Sequence, residues 1–251
     1  MLKLSVVIIT KNEELNIERC VDSVKAIADE IVVVDSFSTD GTVEICNRLG
    51  VTIIQHAFAG YIEQKNYALI HTTHPIVLSL DADEALSPLL TNSILNAKND
   101  WTADGYTMNR LTNYCGKWIY HCGWYPDKKL RLFDKTKGKW AGANPHDILI
   151  MNEGATNMHL KGDILHYSYN SVSEHILQAN NFTTIAAQSA FQNDKKSNVL
   201  KIIFSPVVKF IKSYFFQLGI LDGFYGFLIC KISAQATFYK YVKLWMLQHK
   251  K

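Results

Sequence analysis

Two aspartates and a glutamate follow an apolar run, in the segment Asp81 to Glu84 with the sequence Asp-Ala-Asp-Glu. The run from Pro75 to Leu80 has the composition of a buried strand, so these carboxylates stand where a strand enters a loop. Mg²⁺ and Mn²⁺ take oxygen ligands and share them with phosphate groups, so acids at this place suit a divalent cation and a diphosphate. Asp-x-Asp also occurs by chance in surface loops, and the acids would alternatively cap a helix expected near 88–97.

Two further polar segments follow apolar runs earlier in the chain, at Thr10 to Glu13 and at Asp35 to Thr42. Ligands of open α/β sheets bind outside the carboxyl ends of the parallel strands, so we expect the three polar loops to face one crevice. The sequence contains no dinucleotide-type Gly-x-Gly-x-x-Gly and no Walker lysine motif, which argues against dehydrogenases and P-loop enzymes.

The elements that would position these loops alternate along the first hundred residues. Short β-branched runs predict strands over 4–9, 30–34, 51–55 and 76–80, joined by helices in βαβ units. Asn12 is the predicted cap of the first helix, and the second is predicted over Thr42 to Leu49 with Gly50 after it. Beyond residue 100 the runs 105–111 and 129–133 predict a mixed-sheet half that accepts a second substrate.

The composition is that of a globular protein: of 251 residues, 48% are hydrophobic and 20% are charged. Five scattered cysteines without a Cys-x-x-Cys predict neither a disulfide framework nor a zinc ribbon, and they suit a reducing cytosol. The apolar start runs into Lys11 without a small-residue cleavage site, so we interpret it as a first strand rather than a signal peptide.

The basic character belongs to the end of the chain, since residues 195–251 contain ten lysines and Asp222 as their only acid. A helix is predicted from Ser205 and Pro206 to Gly219, and a second from Asp222 to Leu247, both with large apolar side chains. We expect these helices to lie on an anionic membrane surface, with no nucleic-acid partner. The alternative is a helical pair that packs on the catalytic domain or forms a dimer.

Four segments in this order resemble the family 2 glycosyltransferases of the GT-A fold: 6–13, 31–42, 64–66 and 80–84. The later segments 142–147 and 165–169 are similar to the lipopolysaccharide core β-glucosyltransferase subgroup. The resemblance implies an α/β fold of GT-A type, with a Rossmann-like, mostly parallel sheet, a mixed-sheet acceptor half and a C-terminal helical appendage. The predicted domains are a catalytic domain over 1–194, divided at residue 100 into nucleotide-sugar and acceptor halves, and a basic amphipathic tail over 195–251.

The resemblance also implies roles for individual residues on the donor side. Asp83 would hold Mg²⁺ or Mn²⁺, and His166 would supply a further metal or diphosphate contact. Asp35 would accept a hydrogen bond from the nucleobase, and Lys65 would place a positive charge on the diphosphate. The nucleotide-sugar site would comprise Thr10, Lys11, Asn12, Glu13, Asp35, Ser38, Lys65, Asp81 and Ala82. Taken alone, Asp35 also suits an Asx turn with Ser38, Asp40 and Gly41, which is compatible with binding. Lys65 alone would be an exposed lysine, and His166 a packed or surface histidine.

On the acceptor side, the resemblance makes Asp147 the base that deprotonates the attacking hydroxyl in a single inverting displacement. Related enzymes carry His-Glu where this chain has His146 and Asp147, so its carboxylate is one methylene shorter. Asp147 would alternatively be a turn or salt-bridge residue after Pro145, and His146 would orient the loop.

Together these features predict an inverting, metal-dependent glycosyltransferase that uses a nucleotide sugar, with a UDP-hexose expected. The expected acceptor is a lipid-linked saccharide such as lipopolysaccharide core or another cell-envelope glycan, at the cytosolic face of the membrane. A nucleotidyltransferase and a non-catalytic sugar-nucleotide or membrane-binding module are the alternatives.

Overall fold

A parallel sheet formed by alternating strands and helices occupies the first third of the chain. The computed structural model describes residues 2–143 and 146–249, without the side chains of Ala143 and His146. The elements of this part are β1 Leu4–Thr10, α1 Ile17–Val24, β2 Glu30–Asp35, α2 Thr42–Leu49, β3 Thr52–Gln55, α3 Tyr61–Ile70, β4 Ile76–Asp81, β5 Glu84–Leu86 and α4 Pro88–Asn99.

Antiparallel strands and long helices make up the rest of the chain. They are β6 Gly105–Tyr114, β7 Lys117–Ile119, β8 Asp127–Asp134, β9 Gly138–Ala143, β10 His146–Met151, β11 Asn157–Tyr169, α5 Val172–Gln192, α6 Val199–Ile211 and α7 Gly223–Gln248. A π-helical turn, Lys212–Phe216, and a 3₁₀ turn, Gly219–Asp222, connect α6 to α7.

The central sheet has the strand order β3-β2-β1-β4-β8-β6-β11-β5. Strands β1 to β4 run parallel, whereas β8 is antiparallel to both β4 and β6. Every residue of β1 is buried, because the central strand of a parallel sheet is covered by helices on both faces. The predicted α/β class and its mixed-sheet second half are confirmed.

The first helix begins later than the sequence indicated, so the prediction of Asn12 as its cap is wrong. The helix starts at Ile17, after a turn in which the carbonyl of Glu13 accepts the N–H groups of Asn16 and Ile17. Leu15, which precedes the helix, is 73% exposed. The helix α2 and the left-handed Gly50 after it are confirmed.

The predicted start of the tail helix is also wrong. Asn198 caps α6 by accepting the N–H of Lys201 at 2.9 Å, and Pro206 lies inside the helix. The π-helical turn ends at Phe216. Leu218, whose φ of +56° is left-handed, precedes the 3₁₀ turn, so Gly219 begins that turn instead of ending the helix. The predicted start of the second helix near Asp222 and Gly223 is confirmed.

Contacts along the chain divide it into two compact units. The first comprises Met1–Arg110 and Asp127–Tyr167, and the second comprises Leu111–Pro126 and Ser168–Lys251. Because α5 belongs to the second unit, this division differs from the predicted boundary at residue 194. No single helix among the described residues is long and apolar enough to cross a membrane. The segments Val199–Phe216 and Gly219–Gln248, bent by 71° at their break, pass that test together.

We expect Gly162→Ala to lower the free energy of unfolding by about 3 kcal/mol, because Gly162 has a φ of +101° and its new Cβ would lie 2.4 Å from the Leu90 nitrogen. Gly154→Ala is the matched control, since Gly154 has a φ of +80° with no atom nearby, and it should cost about 1 kcal/mol. Urea unfolding of both variants measures the difference. Equal losses would contradict a close approach of β11 to α4.

Candidate active site

The strand register brings the three polar loops to one edge of the sheet. Thr10 at the end of β1 is opposite Asp35 at the end of β2. On the other side of β1, Ile9 is opposite Asp81 at the end of β4. The predicted meeting of these loops therefore follows from the parallel pairing of three strands that end at the same level.

Backbone-to-side-chain hydrogen bonds join the first two loops. Asn12 has a φ of +55°, a conformation that asparagine tolerates, and its N–H donates to the Ser38 hydroxyl at 2.8 Å. Its side-chain carbonyl accepts the N–H of Thr39 at 2.8 Å. The N–H of Glu13 donates to the Thr42 hydroxyl at 2.8 Å. The two loops thus form one connected surface beside the sheet.

Asp35 is fully buried and forms the turn with Ser38 that the sequence also allowed, an arrangement compatible with nucleobase binding. Its carboxylate accepts the Ser38 N–H at 3.0 Å and the Ser38 hydroxyl, and Gln55 Nε2 lies 3.5 Å away. These contacts fix the shape of the loop. A contact of Asp35 with a nucleobase stays a prediction.

Glu13 and Thr10 have unusual polar environments near the same edge. Burial raises the pKa of Glu13 to about 7 despite a hydrogen bond from Asn16, and the negative charge of Asp83 adds to the rise. The Thr10 hydroxyl is buried without a hydrogen-bond partner among the described residues. Lys11 is exposed, whereas Ala82 is buried and its N–H donates to the Ile9 carbonyl at 3.1 Å.

Lys65, on α3, is buried between carboxylates rather than exposed. Its ammonium group donates to Asp147 Oδ2 at 2.8 Å and lies 3.0 Å from Asp81 Oδ1. The same nitrogen lies 4.5 Å from the ring centroid of Trp140, within cation–π range. Lys65 therefore connects the acid expected on the donor side with the acid expected to act as the base.

The neighbours of Lys65 hold α3 in place. Gln64 Nε2 donates to the Ser36 hydroxyl at 3.0 Å. Asn66 pairs with the backbone of Trp140, donating to its carbonyl at 2.8 Å and accepting its N–H at 3.0 Å. Each residue of the Gln-Lys-Asn segment thus makes a separate polar contact, and Asn66 attaches α3 to β9.

Arg131, on β8, is a residue of the site that the sequence analysis missed. It is buried, and its Nη2 lies 3.1 Å from both Asp81 Oδ2 and Glu84 Oε1. The available signal was a charged residue between Leu130 and Leu132 in a predicted strand, where a buried charge requires a partner.

Two of the acids are held in their ionised form. Burial raises the pKa of Asp81, but Lys65 and Arg131 outweigh it and hold this pKa well below its usual range. Burial likewise opposes ionisation of Glu84, whereas Arg131 lowers its pKa. Glu84 also accepts the Asp81 N–H at 3.1 Å and lies 3.4 Å from Arg110 Nη1. Glu84 is therefore an internal partner of the arginines.

Asp83 and His166 are adjacent, with 3.0 Å between Asp83 Oδ2 and His166 Nε2. The pairing of β11 with β5 fixes this contact, because His166 is opposite Glu84 and the Tyr167 N–H donates to the Asp83 carbonyl at 2.9 Å. Both side chains reach solvent, at 24% exposure for Asp83 and 15% for His166.

This pair fits part of a metal site. Neighbouring ligands of one divalent ion lie about 3 Å apart, as these two atoms do. Within residues 2–143 and 146–249, no group of three or more His, Cys, Asp or Glu side chains would hold an ion by itself. A cation here would take the remaining oxygens from a diphosphate and water, as Mg²⁺ and Mn²⁺ do at phosphate sites.

Asp147 lies on β10, opposite Gly142 of β9, and is partly buried. Its ion pair with Lys65 matches the salt-bridge alternative and is compatible with a role as base. Asn144, Pro145 and the side chain of His146 lie outside the described residues, so the expected orienting role of His146 stays a prediction.

Comparisons with known proteins identify the family and the fold of this chain. A family model described as glycosyl transferase family 2 matches residues 5–155. An uncharacterized glycosyltransferase of Rickettsia typhi is 32% identical, and the match covers 97% of this chain and 87% of the relative. The lipopolysaccharide core biosynthesis glycosyltransferase LpsC of Rhizobium meliloti is 29% identical, with coverage of 97% and 92%.

Among solved structures, the mannosyltransferase PcManGT from Pyrobaculum calidifontis, in complex with GDP-Man and Mn²⁺, is similar with a TM-score of 0.57. The match has 15% identity and covers 99% of this chain and 88% of that protein. At this identity the likeness shows a shared fold, and together with the family match it confirms the predicted GT-A fold.

We expect Arg131→Met to lower the free energy of unfolding at neutral pH by about 3 kcal/mol, because Glu84 and Asp81 would lose a buried cation. Arg48→Met, which breaks the exposed pair with Glu18, is the control and should cost less than about 1 kcal/mol. Urea unfolding measures both losses, and similar losses would contradict a structural role for Arg131.

The loss in Arg131→Met should depend on pH. The pKa values of Asp81 and Glu84 are lowered in the folded state, so their contribution is present above the ordinary values of 3.8 and 4.5 and is lost as the pH falls through the folded values. The stability difference between wild type and Arg131→Met should therefore shrink on acidification. A difference that stays constant from neutral pH to about pH 2 would contradict this coupling.

Proposed function

Because the chain belongs to glycosyl transferase family 2 and is thus a glycosyltransferase, we propose that it transfers a sugar from a nucleotide sugar to a lipid-linked saccharide with inversion. One observation carries the proposal: Lys65 bridges Asp81, the acid expected on the donor side, and Asp147, the candidate base. Inverting transfer needs the acid that binds the donor and the base that activates the acceptor to lie beside the same reacting carbon.

On the donor side, Asp83 and His166 would hold Mg²⁺ or Mn²⁺. When bound, the ion would neutralise the charge that develops on the departing nucleoside diphosphate. The Mn²⁺ and GDP-Man in the PcManGT complex support this assignment for the shared fold. Asp81, kept ionised by Lys65 and Arg131, is suited to accept hydrogen bonds from the sugar nucleotide.

On the acceptor side, Asp147 would remove the proton of the attacking hydroxyl group. The Lys65 ammonium group donates to Asp147 Oδ2 at 2.8 Å and so fixes the position of this carboxylate. The acceptor oxygen forms its bond to the anomeric carbon as the bond from that carbon to the diphosphate breaks, and the proton ends on Asp147. General-base assistance of this kind contributes about 10²- to 10⁴-fold in rate.

We propose a cell-envelope glycan such as lipopolysaccharide core as the acceptor. The support is the relative LpsC, which is named for lipopolysaccharide core biosynthesis and aligns with 97% of this chain. For the donor we propose a UDP-hexose, on the resemblance of the motifs to the core β-glucosyltransferases. PcManGT was solved with a GDP sugar, so a direct test compares UDP with GDP.

We expect Asp83→Asn to abolish the part of nucleoside diphosphate binding that depends on Mn²⁺, because it removes a charged ligand next to His166. Calorimetric titration of UDP and GDP, each with and without Mn²⁺, measures this part. Asp22→Asn is the control, since Asp22 pairs with Lys25 on the surface of α1, and it should bind as wild type does. Unchanged Mn²⁺-dependent binding in Asp83→Asn would contradict the metal assignment.

We expect Asp147→Asn to retain donor binding and to lower kcat by about 10²- to 10⁴-fold, because it removes the proton acceptor. Steady-state transfer to a verified acceptor, measured as a function of pH, checks this. The limb of the wild-type pH profile that reports the base should vanish in the variant. Surviving activity with that limb intact would rule out Asp147.

A further inference from the structure

An unpartnered apolar face runs along α6 and the π-helical turn after it. Its side chains recur every four residues, as four adjacent pairs and the single Ile211, and each is at least 42% exposed. We call this face the α6 stripe; it consists of Val199, Leu200, Ile203, Phe204, Val207, Val208, Ile211, Phe215 and Phe216. No side chain of α6 is buried.

The opposite face of α6 is held against α7. The ring of Phe210 lies 5.9 Å from that of Phe227, and the ring of Tyr214 lies 6.0 Å from it. Ser213, in the π-helical turn, is buried. Because these contacts fix the rotation of the helix within its unit, the α6 stripe points away from α7.

Exposed apolar side chains continue beyond the stripe, at Leu218, Ile220, Leu221 and Phe224. Monomeric soluble proteins rarely expose contiguous apolar patches larger than a few hundred Å², and larger patches mark interaction sites. The run from Val199 to Phe224 therefore has the character of an interaction surface.

The positive charge around the α6 stripe indicates what kind of partner it binds. Residues 195–221 contain five lysines and no acid: Lys195, Lys196, Lys201, Lys209 and Lys212. Two copies joined through the stripe would bring these lysines together without a carboxylate from the same segment to pair with them. Anionic lipid head groups would neutralise them, and the acyl chains would take the apolar side chains.

We propose that the α6 stripe is a membrane-docking surface, with α6 lying in the interfacial layer of an anionic lipid leaflet. The apolar side chains enter the boundary of the acyl chains, and Lys201 and Lys212 reach the head groups from the border of the stripe. This proposal does not depend on the identity of the acceptor, since a water-soluble acceptor would leave lipid binding unchanged.

Co-sedimentation of the full chain with vesicles of equal parts phosphatidylcholine and phosphatidylglycerol tests the proposal. We expect Leu200→Ser to weaken vesicle binding by about 10-fold, because a leucine side chain leaves the lipid. Leu177→Ser on α5 is the matched control, since Leu177 and Leu200 are both 65% exposed, and it should bind as wild type does. Phe216→Ser, at the 80%-exposed position, is the second variant of the stripe.

The charge requirement is tested in the same assay. Lys201→Gln and Lys212→Gln should each weaken binding by about 5-fold, whereas Lys117→Gln, at an exposed position on β7, should have no effect. Vesicles of phosphatidylcholine alone should bind the wild-type chain much more weakly. Circular dichroism of each variant checks that the helices are intact.

Three results would overturn the proposal. The first is equal binding of wild type, Leu200→Ser and Phe216→Ser to anionic vesicles. The second is a dimer in sedimentation velocity without lipid that Leu200→Ser dissociates, since the stripe would then join two copies. The third is retention in the vesicle pellet after alkaline carbonate treatment, which would mean that the bent helix pair spans the bilayer.

Discussion

Two buried cations, Lys65 and Arg131, determine how the candidate site is built. Removing a charged group from water costs several kcal/mol, so each cation needs carboxylates within hydrogen-bonding distance. Lys65 has Asp81 and Asp147, and Arg131 has Asp81 and Glu84. Asp81 is shared by both, which makes it the centre of the network. Asp81 and Glu84 are therefore fixed before any substrate arrives.

This network separates the acids by role. Asp81 and Glu84 neutralise internal cations, whereas Asp83 reaches solvent beside His166 and remains available to a cation. A strand-to-loop transition produces this separation, because Asp81 ends β4 and Glu84 begins β5. Asp83, the residue proposed to bind a metal ion, thus lies between two acids that pair with buried cations.

An exposed apolar surface distinguishes the second compact unit. Its helix α6 packs through one face and leaves the other face apolar and exposed, and residues 195–221 contain five lysines and no acid. Burying an additional apolar side chain in lipid is favourable by roughly 1.5–3 kcal/mol, so an exposed stripe of this length is costly in water. This cost would fall if the α6 stripe lay in a lipid layer, as proposed above.

Hydrophobic periodicity and turn residues were enough to predict strands β1 to β4, α2 with Gly50, and the meeting of three polar loops, because local pattern and parallel pairing decide them. The start of α1 was not predictable, because Asn12 bonds to Thr39 in a distant loop instead of capping a helix. Sequence spacing likewise gave no sign that Lys65 would be buried between Asp81 and Asp147, which is 82 residues away. Only the tertiary structure decided which charges are paired, because ion pairs depend on distances that the folded chain sets between remote segments.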